Sequence, residues 1–333
     1  EMRENMKTRI RTVSVATVVL MIGLGVATAG CGKYSFANLK AMKAFKEANE
    51  HYRGQRWREA AERYEAVVSN QAALAVNPDL TAAYFFLGHS YDNLYKPARK
   101  GEAENDGYIA KAIAAYSKGA ELSSDPIYRR RSMEYLVAAY GGDKLNDPGQ
   151  AEPVVLKIIE MDPSDPSAYF ALAQIYEGAG RYDEAEQALL KGRDAKPNDP
   201  AVYNALAQYY NRQGEFEKTM DAFDMAAELD PDNPQGYYLI STYYQEKASK
   251  DFRLNDAQKR EYNEKGLAAA ERALKLNPNY VDALVYKGIL LLQLARVEKD
   301  PAKQKEMVAE AGAARSKAME LQKTGGAAKP AGQ

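Results

Sequence analysis

The chain has 333 residues, 46% hydrophobic and 27% charged, a balance that suits a folded protein and excludes a disordered one. A formal net charge of −1 offers nucleic acid no long-range attraction, so no nucleic-acid partner is expected. One cysteine and two histidines, His51 and His89, exclude a disulfide framework and a cysteine-based zinc site and leave little for any metal centre.

The first thirty residues differ from those that follow. Arg3, Lys7, Arg9 and Arg11 make a basic head, Thr12 to Gly30 carries no charge around an apolar VVLMIGLGV, and Ala27, Thr28, Ala29 and Gly30 form a small-residue exit. That pattern predicts a signal peptide over residues 1–30. The exit runs into the only cysteine, and ATAGC resembles the bacterial lipobox, with Thr28 where that motif usually has Leu. The resemblance implies cleavage before Cys31, a diacylglycerol on its thiol and an acylated amino terminus, with residues 31–37 as lipidated cysteine and tether. Gly32 stands where Asp would mark inner-membrane retention in some bacteria, which favours an outer-membrane lipoprotein facing the periplasm. Two alternatives stay open: an ordinary cleaved signal, and an uncleaved membrane helix, since the uncharged run approaches the roughly twenty residues a span needs.

Residues 38–322 read as a succession of helix pairs. In the first pair Trp57, Glu59, Ala60 and Tyr64 mark the turn and the second helix. The second opens with Tyr84, Leu87, Gly88 and Tyr91, is interrupted by a piece inserted from Tyr95 to Tyr108, and resumes at KAIAAYSKGAEL. The third runs from about Tyr128 to Asp162 and contains Leu136, Tyr140 and Ala151 at pattern positions. The fourth and fifth are the plainest: Pro163, Pro197 and Pro231 recur every 34 residues, as do Tyr169, Tyr203 and Tyr237, then Leu172, Leu206 and Ile240, then Tyr176, Tyr210 and Tyr244. A fixed period in this range means a repeat architecture. Tyr169, Leu172, Ala173 and Tyr176 fall at i, i+3, i+4 and i+7, one buried helical stripe, which Gly178 and Gly180 end. Ala185, Ala188, Leu189 and Gly192 form the stripe of a second helix, and KPNDP stops that helix and starts the next. The sixth pair is longer, 47 residues from Pro231 to Pro278, with the addition near SKDFRLNDAQKRE, where Asn255 and Gln258 fit a helix-start capping pair. The seventh opens at Val281, and Asp300–Pro301 starts its long second helix. Residues 323–333 are a tail of mostly small residues, expected to be disordered.

PSAYFALAQIYEGAGRYDEAEQALLKGRDAKP resembles the tetratricopeptide repeat in its order of aromatic, Leu with a small residue, Tyr, Gly, Tyr, Ala, small residue and Pro. PAVYNALAQYYNRQGEFEKTMDAFDMAAELDP repeats it with Thr219 in place of the second-helix Ala. The resemblance implies an all-α fold, a right-handed superhelical solenoid of about seven helix-turn-helix units, several with lengthened helices or inserted loops. No GxxxxGK[ST], HExxH or GxSxG motif occurs, so no enzyme and no catalytic, metal or cofactor site is expected.

One step from the buried stripe the first helices present Phe170 and Gln174, then Asn204, Gln208 and Asn211 with Arg212 beside them, then Tyr238, Thr242 and Gln245. In the repeat family this face lines a concave groove that binds peptides. Amides pair with a peptide backbone and aromatic rings cover its apolar side chains. With only Arg212 basic nearby, a clamp for a C-terminal carboxylate is not expected. The function that follows is a non-enzymatic scaffold, lipid-anchored in the bacterial envelope through Cys31, that binds an envelope protein or peptide. The runner-up is a self-assembling structural protein forming oligomers or filaments, suggested by the apolar run Leu290, Leu291, Leu292 and Leu294.

Overall fold

The computed structural model describes residues 32 and 34–323; the expected signal peptide, Cys31 and residues 324–333 lie outside them. Among the described residues every regular element is helical and none is a strand. The chain divides into two compact units. The first contains α1 (Phe36–Arg53), α2 (Trp57–Val68), α3 (Gln71–Val76), α4 (Ala83–Leu94), α5 (Ala103–Leu122), α6 (Pro126–Tyr140) and α7 (Pro148–Met161). It also takes in Ile175–Gly180, the end of α8 (Pro166–Gly178). The second contains Pro163–Gln174 and α9 (Tyr182–Ala195), α10 (Pro200–Arg212), α11 (Phe216–Leu229), α12 (Pro234–Lys250), α13 (Asp256–Leu276), α14 (Val281–Val297) and α15 (Pro301–Lys323).

The helices begin where the sequence supplies caps. Asp125 accepts from the Ile127 N–H at 2.8 Å, Asp147 from Gln150 at 3.1 Å, Asp199 from Ala201 at 2.9 Å and Asn233 from Gln235 at 3.0 Å. In each case proline follows, at a position where a helix has no use for its N–H. Asn255 and Gln258 form a complete capping box at the start of α13, through bonds of 2.9 and 3.0 Å. The turn inside a pair rests on glycine: Gly180 and Gly214, 34 residues apart, have φ of 73° and 76°, the left-handed region that glycine enters without cost. Gln55 stands in the same place two residues before α2, with φ 55°.

Packing follows the two predicted stripes. Leu172, Ala173, Leu206, Ala207 and Ile240 are buried from the first helices, and Ala185, Ala188, Leu189 and Gly192 from a second one. Close approach requires a missing side chain in places: a Cβ on Gly192 would lie 3.1 Å from the Tyr169 Cβ, and one on Gly88 only 2.5 Å from the Tyr116 ring. The tyrosine columns gain a reason beyond burial. Tyr169 and Tyr203 donate to the carbonyls of Pro163 and Pro197 at 3.1 and 3.0 Å, fixing the turn that enters each repeat. Tyr176 and Tyr210 reach back to Glu152 and Glu186 on the preceding second helix at 2.9 and 2.8 Å. Those glutamates are themselves 34 residues apart. Met220 occupies the next position of that column, and Tyr244 instead packs against Phe216 and Tyr262.

Three details differ from the sequence reading. Between the first pair and the second lies a separate short helix, α3, which the sequence reading did not single out. Its cap, Asn70, accepts from the Ala73 N–H and donates to the Ala37 carbonyl at 3.0 Å, tying α3 back to α1. Helix α1 begins at Phe36, inside the expected tether, because Ser35 accepts from the Asn38 N–H, and α15 continues through Lys323, one residue into the expected tail. The apolar run in α14 is mostly interior: Leu290, Leu291 and Leu294 are buried and Leu292 is exposed. Three of the four leucines that suggested self-assembly therefore belong to the core of the last pair.

Candidate functional site

The 34-residue period places Phe170, Asn204 and Tyr238 at one register on α8, α10 and α12. Gln174, Gln208 and Thr242 follow one turn on, and Asn211 and Gln245 one turn further. Phe170 and Asn204 are half-buried, and the structure sorts the others into two kinds. Gln174, Gln208, Asn211 and Arg212 are exposed, and among the described residues the three amides make no side-chain hydrogen bond. The α12 members are engaged within the protein. Tyr238 is half-buried, its ring 5.3 Å from Tyr280 and 5.5 Å from Tyr286, and burial first, then Asp282, raises its phenol above the ordinary value. Thr242 donates its hydroxyl to the Leu239 carbonyl at 2.7 Å. Gln245 donates to Ser249 Oγ at 2.7 Å, which also accepts from Gln293 of α14 at 2.9 Å.

The face continues where sequence reasoning did not follow it. Adding the 47-residue length of the sixth pair to Tyr238, Thr242 and Gln245 gives Val285, Ile289 and Leu292 on α14. Val285 and Leu292 are exposed and Ile289 half-buried, so this end of the face is apolar. The insert near residues 249–262 contributes as well. Asn211 lines an open cleft of about 450 Å³ with Phe216, Tyr243, Lys250, Phe252 and Arg253. Phe252 is 90% exposed at its rim. The signal was present in the sequence as an aromatic and an arginine together in DFR, within the insert.

The first unit has an equivalent register of its own, on α4. His89 lies at i+4 from Phe85 and is ringed by aromatic side chains: Tyr135 of α6 at 5.2 Å, Tyr52 of α1 at 5.5 Å, Trp57 of α2 at 5.8 Å and Phe85 at 6.1 Å. Tyr52 Oη and Asn93 Nδ2 both lie on the imidazole Nδ1, at 2.9 and 3.0 Å. Asn93 Nδ2 also donates to the His89 backbone carbonyl at 2.8 Å, so the ring is held from α1 and from its own helix. Burial lowers the His89 pKa; Asp92 opposes that shift and Lys144 reinforces it. Asp92 is itself held by Lys144 at 2.5 Å.

Residues 144–209 and residues 200–233 each match a family model described as tetratricopeptide repeat. Residues 144–233 carry tetratricopeptide repeats. No curated protein matches it. Among solved structures it is similar to a tetratricopeptide repeat protein from Parabacteroides merdae, at 14% identity over 82% of this chain and 99% of that one, with a TM-score of 0.46. It is also similar to MamA from Desulfovibrio magneticus RS-1, at 16% identity over 59% and 96% with a TM-score of 0.40. A third is YrrB, described as a TPR protein with an unusual peptide-binding site, at 17% identity over 63% and 99% with a TM-score of 0.38.

Within these tetratricopeptide repeats the first-helix face has a definite chemistry. Exposed carboxamides offer a donor and an acceptor each, suited to the alternating N–H and C=O groups of an extended backbone. Phe170, Tyr238, Val285 and Leu292 offer apolar surface between and beyond them. Cations near the face are mostly paired: Lys250 with Glu246, Lys247 and Arg253 with Asp251.

Proposed function

We propose that the chain is a non-enzymatic interaction scaffold that holds an extended, largely uncharged segment of a partner protein along the first-helix face of its second unit. The observation that carries the reading is the recurrence of an exposed amide, Gln174 and Gln208, at the 34-residue period, with Asn211 one turn further on α10; among the described residues none of the three makes a side-chain hydrogen bond, and aromatic and apolar surface lies beside them. An exposed amide without a hydrogen bond forms no packing contact in the core, whereas one aligned with others can pair a bound backbone. The cleft edged by Phe252 and Arg253 extends the same face into the insert.

The scaffold acts at the bacterial envelope in this proposal, tethered through a lipid on Cys31 and facing the periplasm from the outer membrane. The basic head, uncharged run and small-residue exit before Cys31 support the tether.

Photocrosslinking in intact cells tests the binding face. A photoreactive side chain at Gln208 is expected to capture one discrete partner, and the same group at Lys191, exposed on second helix α9, is not. The double variant Gln208→Ala/Asn211→Ala should weaken capture by a probe placed at Gln174 while leaving the helical circular dichroism unchanged. Equal capture from both helices, or none from either, defeats the reading.

A further inference from the structure

Helix α1 carries a face that no described residue of its unit covers. Tyr34, Phe36, Leu39 and Met42 are 81%, 83%, 50% and 48% exposed, while Asn38, Ala41 and Ala48 seal the other side at 2% or less. At 3.6 residues per turn Phe36, Leu39 and Met42 share one half of the helix with Lys40, Lys43 and Lys46, all exposed. From Lys33 to Lys46 the sequence holds four lysines and no acidic residue, in a chain whose net charge is −1. The first turn of α1 has no acidic residue, so the segment forgoes the usual favourable interaction with the helix dipole. A lone exposed apolar residue needs no explanation; a row of them interleaved with cations of one sign does.

Position along the chain supplies the occupant. Ser35 N–H donates to the Gly32 carbonyl at 3.2 Å, and Gly32 sits against Val76, so the chain enters the first unit beside the start of α1. Immediately before it lie Cys31 and the uncharged run Thr12–Gly30. If either the acylated cysteine or that run holds the chain in a bilayer, the stretch from 31 to 36 reaches at most about 20 Å. The start of α1 then stays at the lipid surface.

We propose that the first three turns of α1 lie on an anionic bilayer, with Tyr34, Phe36, Leu39 and Met42 at headgroup depth and Lys40, Lys43 and Lys46 against lipid phosphates. This rests on the membrane tether proposed above, and the test separates the two.

The full chain is reconstituted with vesicles of phosphatidylethanolamine and phosphatidylglycerol that contain brominated acyl chains. Trp57→Phe silences the native tryptophan and Leu39→Trp places a reporter on the face; Glu104→Trp in the same background is the distant control. The reporter at 39 is expected to be quenched and the one at 104 not. Lys40→Gln/Lys43→Gln/Lys46→Gln should reduce quenching at 39 by roughly fivefold or more, as should phosphatidylcholine alone. Leu39, Lys40, Lys43, Lys46 and Glu104 are exposed, and circular dichroism checks that each variant is folded. A chain that floats with vesicles while position 39 stays unquenched overturns the surface contact and leaves the tether standing. Quenching at 39 that persists when Cys31→Ser is combined with deletion of residues 2–30 supports the contact and shows that it forms without the tether. A reporter at 39 already shielded from aqueous iodide before vesicles are added shows the chain's own amino-terminal segment on this face, and overturns the proposal, as does failure to float at all.

Discussion

A histidine enclosed by aromatic rings is costly to charge. Burial lowers the His89 pKa below its ordinary 6.5, with Lys144 acting the same way and Asp92 opposing it. Because the folded value is depressed, His89 contributes stability that is present above pH 6.5 and is lost as pH falls through the folded value. Thermal melts at pH 7.5 and 5 should therefore show an acid destabilisation that His89→Phe reduces; an identical pH response in that variant would show that His89 does not carry it. Leu206, 3% exposed on α10, makes the complementary case for packing. Leu206→Ala should lower stability by about 2–5 kcal/mol in a denaturant melt, the cost of lost burial and a partly relaxed cavity. Tyr210 shows how one residue joins two repeats: burial first, then its bond to Glu186, pushes its phenol up to about 12. Tyr210→Phe should remove that bond at a cost of about 0.5–1.5 kcal/mol, read from the same melt.

At the scale of elements the sequence was most legible where caps and period agreed. Proline at the first helical position, Asp or Asn before it and glycine in the turn fixed α8 to α12, and the Asn255–Gln258 box and Asp300–Pro301 fixed the longer helices after them. Helix α3 was not legible, because six residues lack room for a full apolar stripe and its stop at Asn77–Pro78 reads as part of a loop. The apolar end of the candidate face was hidden differently. Val285, Ile289 and Leu292 keep the register of Tyr238, Thr242 and Gln245, but a 13-residue insertion shifts them out of the 34-residue frame, and the neighbouring buried leucines blur the stripe. The His89 ring was not legible either, since its members come from four helices and no spacing rule joins them. The turns permit a test free of packing. Gly214 has φ 76° and nothing within 4 Å of an added Cβ, so Gly214→Ala probes backbone strain alone. It should destabilise by about 1–2 kcal/mol, whereas Gln55→Gly, at φ 55° in the equivalent turn, should stabilise or be neutral.

For the whole molecule, the proposed tether and the repeats are separable. Each extensive helix contact joins elements close together in the chain, so each repeat depends on its neighbours and little on distant segments. A membrane attachment at the amino-terminal end would therefore add nothing to the stability of the repeats; its effect would be on location. Cys31→Ser tests that separation. If a diacylglycerol on this thiol is the anchor, the variant should leave the membrane fraction for the soluble periplasmic fraction, since several acyl chains gain about 0.8 kcal/mol for every CH₂ they bury and their loss leaves only weak surface contacts. Its melting temperature and helical content should match the wild type, because the repeats pack through helices that run from Phe36 to Lys323. A variant that stays in membranes identifies the uncharged run Thr12–Gly30 as the anchor instead. A variant that moves and also unfolds would mean that the repeats lean on the membrane for stability, which nearest-neighbour packing does not predict.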